Sequence, residues 1–148
     1  LQDLLGPIES SIVEADERVL GRCMAMRYVF LGMATVAVFT TPDRLIVQKV
    51  KRKSNGDYEA RGEQISIVPR QIARARAMHP SAFQIRWKKN IPESILNGVD
   101  ARLKIRTTDR QTISLGIGKI SGPGDEQRRG VEAIGRWFAS HADQLPTA

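Results

Sequence analysis

The chain has 148 residues, of which 41% are apolar and 26% are charged, and its formal net charge is +7. This length fits one domain that can bury a core without a stabilising metal or disulfide. The single cysteine, Cys23, excludes an internal disulfide. The longest apolar run, residues 28–39, is shorter than the roughly 20 residues that a membrane helix needs.

The basic excess is confined to the middle of the chain. Residues 1–43 hold three basic and six acidic residues, residues 44–110 hold sixteen and six, and residues 111–148 hold four of each. This uneven charge raises the expectation of an acidic partner or an anionic surface. No signal peptide is recognisable, so the cytoplasm is the expected location. Because the first residue is Leu1 rather than Met, an upstream segment, even a membrane anchor, stays open.

A short helix is predicted at the N terminus, where Leu4, Leu5, Ile8 and Ile12 have helical spacing. We assign residues 1–15 to this helical lead-in and residues 16–145 to one domain. The lead-in is followed by segments with a different period.

Short β-branched and apolar segments, separated by turn signals, predict about seven or eight antiparallel strands. The candidate segments are residues 18–28, 35–40, 44–53, 58–61, 64–68, 72–78, 83–88, 101–107 and 112–117. Thr41-Pro42-Asp43 and Asn55-Gly56 are the clearest turn signals between them. The first segment also fits a helix, and a strand is favoured because strands follow it. The series is typical of a small sandwich or barrel.

Four stretches place a basic residue at every second position, which is the side-chain period of a β-strand. They are Lys49-Lys51-Lys53, Arg74-Arg76, Arg86-Lys88 and Arg102-Lys104-Arg106. We therefore expect a sheet with an apolar inner face and a basic outer face. Any half-exposed antiparallel sheet shows charged outward positions, and Lys and Arg also protect edge strands. A solvated face is therefore the favoured interpretation. The uniform sign of the charge is the argument against it, because a face that only contacts solvent would mix both signs.

The period changes again near the C terminus. Val131, Ile134, Phe138 and Ala142 fall on one helical stripe. Trp137 lies beside this stripe, and Asp125 is a suitable N-cap. We predict an amphipathic C-terminal helix that tertiary packing holds in place, because two glycines weaken it.

A lead-in, about seven antiparallel strands and one final helix resemble, in this order, a pleckstrin-homology-like (PH-like) domain. The segment Phe39 to Val47 is similar to a hairpin of bacterial members, and Trp137 resembles the tryptophan of the last helix in eukaryotic members. The resemblance covers residues 16–145 and implies a mainly β, PH-like barrel capped by the C-terminal helix. It also implies a non-catalytic module that scaffolds protein partners or self-assembles.

One departure from the PH-like pattern concerns the junction of the first two strands. Phosphoinositide-binding members carry basic residues there, whereas residues 28–34 of this chain contain no charge. The usual inositol-phosphate pocket is therefore not expected. Tyr28, Phe30, Leu31 and Met33 are candidates for a hydrophobic interaction surface at this hairpin, and a place in the core is the equal alternative.

No catalytic, metal or cofactor site is predicted. His79 and His141 have no partner at metal-ligand spacing, so we interpret both as surface histidines. Gly116-Ile117-Gly118 lacks the third glycine of a dinucleotide fingerprint, and no serine has the context of a nucleophile elbow. We expect neither an enzyme nor a small-molecule substrate.

Three kinds of partner remain open: a protein or second copy, an anionic membrane, and a nucleic acid. The anion-binding candidates are Lys49, Lys51, Arg52, Lys53, Arg61, Arg74, Arg86, Lys88, Arg102, Lys104 and Arg106. Protein binding or self-association ranks first, and peripheral binding at the inner face of the membrane ranks second. Nucleic acid ranks last because few aromatic residues are available for base stacking. Convergence of the cations between Lys49 and Arg74 on one concave surface would indicate a site, and dispersal would indicate a solvated face.

Overall fold

One antiparallel sheet, two α-helices and a short 3-10 helix (Pro69–Gln71) make up the described part of the chain, which covers residues 5–29, 31–78, 84–86, 101–117 and 124–141 in a computed structural model. Helix α1 spans Gly6–Ile12 and helix α2 spans Gly124–Ser140. The strands are β1 (Gly21–Val29), β2 (Gly32–Thr40), β3 (Leu45–Arg52), β4 (Tyr58–Ile67), β5 (Ile72–Met78), β6 (Gln84–Arg86), β7 (Ala101–Thr107) and β8 (Thr112–Ile117). Neither helix is long and apolar enough to cross a membrane.

All eight strands belong to one sheet, in the order β4-β3-β2-β1-β8-β7-β5-β6. Strand β1 joins its two halves, because it pairs with β2 over its full length and with β8 only at Met26–Tyr28. The end strands β4 and β6 do not pair with each other among the described residues, so the sheet is not closed. The mainly β architecture with a C-terminal helix is as predicted. It is compatible with a PH-like sandwich or barrel.

The strand predictions differ from the structure mainly at β4. Residues 58–61 and 64–68 were expected to be separate strands, but they belong to one strand that bulges between them. Residues 61–63 of β4 face the single residue Lys49 of β3. Gly62 makes this bulge possible, because its φ of +94° is a conformation that glycine adopts without steric cost.

The main hydrophobic core lies between the inner face of the sheet and α2. The sheet contributes Cys23, Ala25, Val36, Val38, Val47, Leu103, Ile105, Ile113 and Leu115 among others, and the helix contributes Val131, Ile134, Trp137 and Phe138. The apolar stripe predicted for the C-terminal helix is therefore confirmed for Val131, Ile134 and Phe138, with Trp137 packed beside them. Ala142, its fourth predicted member, lies outside the described residues. Burial of each large aliphatic side chain contributes about 1.5–3 kcal/mol to folding.

A second cluster lies on the outer face of the same strands, beneath α1. Leu5 and Ile8 of the helical segment are buried against Met24, Phe39 and Ile46. Because both faces of β2 and β3 are covered here, their sequences read as continuous apolar runs instead of alternating ones. The lead-in helix packs on the sheet, and the domain boundary near residue 16 stays a prediction.

Helix α2 provides hydrogen-bond partners for a part of β1 that does not pair with β8. Gln127 is fully buried, and its side-chain amide accepts a hydrogen bond from the Met24 N–H and donates one to the Met24 carbonyl, both at 2.8 Å. The helix can approach this closely because residue 130 is glycine. A Cβ at Gly130 would lie 2.2 Å from the carbonyl oxygen of Arg22. One glutamine thus does locally what a neighbouring strand would otherwise do.

A partly buried ion pair connects the segment before β1 to the start of β3. The Arg44 guanidinium donates from Nε to Oε2 of Glu17 at 2.7 Å and from Nη2 to the other carboxylate oxygen. These hydrogen bonds hold the pKa of the Glu17 carboxyl below its ordinary value of 4.5. The charged form of Glu17 is therefore favoured in the folded state.

We expect Gln127→Leu to destabilise the fold by about 2–4 kcal/mol, because it leaves a buried N–H and a buried carbonyl of Met24 without partners. Urea unfolding measures the change. Gln111→Leu is the matched control, since Gln111 is exposed and its hydrogen bonds with Thr107 use its backbone. Equal losses in the two variants would contradict this role of Gln127.

We expect Glu17→Gln to remove a pH-dependent part of the stability. The folded-state pKa of Glu17 is lowered, so its contribution is complete above the ordinary value of 4.5 and is lost as the pH falls through the folded pKa. The difference in unfolding free energy between the two proteins should be largest near neutral pH and vanish in acid. A difference that does not change with pH would count against the pair.

Candidate anion-binding face and apolar tip

The predicted cations lie in two regions of the sheet. Lys49, Lys51, Arg52, Lys53 and Arg61 belong to β3, β4 and their connection, whereas Arg74, Arg86, Arg102, Lys104 and Arg106 belong to β5, β6 and β7. Four strands separate β3 from β5 in the sheet, so the cations from Lys49 to Arg74 do not converge on one surface. Lys88 and Phe30 lie outside the described residues.

The basic residues of β3 lie on the face opposite to the expected one. Lys49 and Lys51 alternate with Gln48 and Val50, which are buried on the side that α1 covers. The two lysines therefore lie on the inner face of the sheet, in a part of that face that the core does not cover. Acidic residues of β4 accompany them, and Glu59 is the register partner of Lys51. This region mixes both signs of charge, as a solvated face does.

The strand β7 shows the alternation that its sequence predicts. Leu103 and Ile105 are buried in the core, and Lys104 and Arg106 are exposed on the outer face. Arg74 of the neighbouring strand β5 is exposed as well.

The register of β5, β6 and β7 places cations directly opposite one another. Arg74 is paired with Arg106, and Arg76 lies between Lys104 on one side and Arg86 on the other. Strands β5 to β8 contain no aspartate or glutamate. We call the register positions Arg74, Arg76, Arg86, Arg102, Lys104 and Arg106 the basic face. Directly opposed like charges destabilise a sheet, so Arg74 and Arg106, which are both exposed, disfavour each other's position.

The hairpin between β1 and β2 exposes large apolar side chains. Val29, Leu31 and Met33 are 46%, 90% and 62% exposed, and we call them the apolar tip. Tyr28 is half-buried and its ring lies over Gly116, where a Cβ would be 2.7 Å from the phenol oxygen. The hydrophobic candidates of the hairpin are thus divided between exposed and packed positions.

Leu31 has two features that disfavour it in an isolated fold. Its φ of +66° is a left-handed conformation that costs a residue with a Cβ about 1–2 kcal/mol. Its side chain is also almost fully exposed. Leucine is therefore an unusual residue at this turn position, which ordinarily carries glycine or asparagine.

The sequence did not reveal the surface at the other end of β1. Leu20 is 45% exposed there, and it lies between a groove of about 320 Å³ and a cleft of about 500 Å³. The groove is lined by Leu20, Ala133, Arg136, Trp137 and Ser140, and the cleft includes Glu9, Glu14, Glu17, Arg22, Glu126 and Arg129. The acidic excess of residues 1–43 is the only sequence signal for this surface.

Two reactive side chains among the described residues, Cys23 and His141, are packed against their neighbours. Burial raises the pKa of the Cys23 thiol to about 12, so the nucleophilic thiolate is disfavoured. His141 contacts the Pro42 carbonyl through Nε2 at 2.8 Å and lies against the Trp137 ring. Within the described ranges, no group of three or more His, Cys, Asp or Glu residues could hold a metal ion.

Comparison with solved structures shows likeness in fold. The C-terminal domain of an unknown protein from Leishmania infantum is 14% identical, with a TM-score of 0.54 over 92% of this chain and 98% of that one. The truncated linker-DH/PH domains of p115-RhoGEF are 8% identical with a TM-score of 0.45; the match covers 93% of this chain but only 32% of theirs. No protein-family model matches the chain, and no curated protein does. At such identities the first likeness shows the fold alone, and the second carries no weight.

We expect Cys23 to resist alkylation in the native protein. It is fully buried and its pKa is about 12, so iodoacetamide should react only when the fold opens. Mass spectrometry with and without urea measures the modification. Rapid stoichiometric labelling under native conditions would contradict the packing of β1 against α2.

Proposed function

We propose that this chain is a non-catalytic PH-like interaction module that docks peripherally on anionic membranes through its basic face. The observation that carries the proposal is the set of six basic register positions on β5, β6 and β7, in a half-sheet without acidic residues. Membership among bacterial PH-like domains and a place at the inner face of the membrane belong to the same proposal.

An anionic surface would relieve the repulsion within the basic face. Arg74 and Arg106 are register partners and both are exposed, so a negatively charged layer can approach them together. Each Lys or Arg near an anionic bilayer contributes about 1 kcal/mol of binding free energy. Several such residues on one face therefore suffice for reversible attachment.

A membrane fits this face better than a nucleic acid does. The next strand, β8, places Ser114 opposite Lys104 and Thr112 opposite Arg106, so the cations border small polar residues. Sequence-tolerant binding of single strands requires aromatic platforms for the bases. Tyr28, which pairs with Ser114 at the far side of β8, is half-buried and lies over Gly116.

We expect the double variant Lys104→Gln/Arg106→Gln to bind phosphatidylglycerol-containing vesicles about 30-fold more weakly, because two cations leave the basic face. Vesicle sedimentation at low salt measures the partition. Lys51→Gln/Lys53→Gln is the matched control, since it removes the same charge from exposed positions at the other end of the sheet. The control should bind nearly as well as the parent.

Three results would overturn this proposal. The first is a parent protein that does not bind anionic vesicles at low salt, and the second is an equal loss of affinity in both double variants. Tighter binding to duplex or single-stranded oligonucleotides than to vesicles would assign the basic face to nucleic acid.

Thermal stability of Lys104→Gln/Arg106→Gln should stay level or rise, because the neutralised residues face like charges or neutral partners.

A further inference from the structure

One row of the sheet brings two arginines side by side on neighbouring strands. Arg74 of β5 and Arg106 of β7 are register partners, and Thr112 of β8 is the partner of Arg106 on its other side. All three residues are exposed. Opposed residues of an antiparallel pair have Cβ atoms about 4.5–5.5 Å apart, so these side chains are neighbours. We call Arg74, Arg106 and Thr112 the arginine row.

The arginine row lies on the outer face of the sheet. Its members alternate along their strands with three residues that are buried in the core beneath α2, namely Ala75, Ile105 and Ile113. Successive side chains of a strand point to opposite faces of the sheet. Both guanidinium groups and the threonine hydroxyl are therefore on the side away from α2.

The two arginines have no carboxylate partner among the described residues. Neither forms an ion pair or a side-chain hydrogen bond there, and β5 to β8 contain no acidic residue. Asp109, in the turn after β7, accepts a hydrogen bond from the Thr107 hydroxyl. Thr107 is buried and follows Arg106 directly, so this contact belongs to the opposite face. The positive charges of the row are thus available to an external anion.

A phosphate monoester matches this arrangement better than a phosphodiester does. A monoester carries a charge of about −1.5 to −2 near pH 7 and has three terminal oxygens. Each guanidinium can donate two parallel hydrogen bonds to a phosphate, and a threonine hydroxyl can donate one more. A diester has a single charge and two terminal oxygens, so it can accept fewer of these hydrogen bonds and offsets less of the repulsion between the arginines.

We infer that the arginine row binds the phosphate monoester headgroup of a membrane lipid, of which phosphatidic acid is the simplest. Because the row belongs to the basic face, this site rests on the proposed membrane docking and specifies its headgroup class. A lipid is favoured over a soluble monoester because the row is exposed on a sheet face, with a further exposed cation, Lys104, on the same strand as Arg106. The site is separate from the uncharged junction of β1 and β2.

Vesicle sedimentation with two anionic lipids tests the headgroup class. Phosphatidylcholine vesicles that contain phosphatidic acid or phosphatidylglycerol are matched for zeta potential. The parent should bind the phosphatidic acid vesicles about 10-fold more tightly, as expected for additional charge-assisted hydrogen bonds. Equal binding would overturn the headgroup inference and leave membrane docking intact. Failure to bind either lipid would overturn both.

The variants Arg74→Lys and Arg106→Lys test the guanidinium groups, since each keeps the positive charge but loses the planar pair of donors. Each should lose most of the preference for phosphatidic acid and still bind phosphatidylglycerol like the parent, which also shows that it is folded. Arg61→Lys is the matched control, because Arg61 is exposed on β4 in the other region of the sheet. An equal loss of preference in the control would contradict the role of the arginine row.

The pH dependence of the preference reports on the lipid itself. The second ionisation of a phosphate monoester has a pKa of about 6, whereas a phosphodiester keeps its single charge in this range. With the zeta potentials matched again at each pH, the preference of the parent should decline as the pH falls through about 6. A preference that does not change with pH would contradict recognition of the dianion.

Glycerol 3-phosphate distinguishes a lipid from a soluble source of the phosphate. It has the headgroup chemistry of phosphatidic acid but contacts only the arginine row, whereas a bilayer contacts the whole basic face. At millimolar concentration it should leave the parent bound to phosphatidic acid vesicles. Complete release of the protein at micromolar concentration would assign the row to a soluble monoester and overturn the inference.

Discussion

The fold depends on finding hydrogen-bond partners for the backbone of β1, because β8 pairs with this strand only at Met26–Tyr28. Buried N–H and carbonyl groups without partners are costly, so the first part of this edge needs another hydrogen-bonding group. Gln127 supplies it from α2, and Gly130 lets the helix approach the strand backbone. The position of α2 over the core follows from these two residues as much as from its apolar stripe.

Fixing α2 on one side of β1 and α1 on the other leaves the ends of the strand as its accessible parts. Most of its middle is buried between the two clusters, whereas Leu20 and the apolar tip remain exposed. The same packing that stabilises the sheet therefore separates two apolar surfaces by the length of one strand.

The balance of positive and negative charge differs between the two halves of the sheet. Cations near β4 have carboxylates among their neighbours, as Arg27 does in its 2.9 Å ion pair with Glu63. Cations on β5 and β7 face one another in register, and no acidic residue of β5 to β8 offsets them. Both regions look alike in sequence, but only the second has the unbalanced charge that favours an anionic partner.

Periodicity alone determined most of the elements, because a strand alternates its side chains and a helix repeats every three to four residues. Leu103 to Arg106 alternates as predicted, since one face of β7 is buried and the other is exposed. Lys49 and Lys51 lie on the unexpected face because α1 buries the other side of β3, which no local pattern reveals. The opposed cations and the groove and cleft beside Leu20 were decided only by tertiary structure. Strand order and helix packing bring together residues far apart in sequence, and these long-range contacts have no local signature.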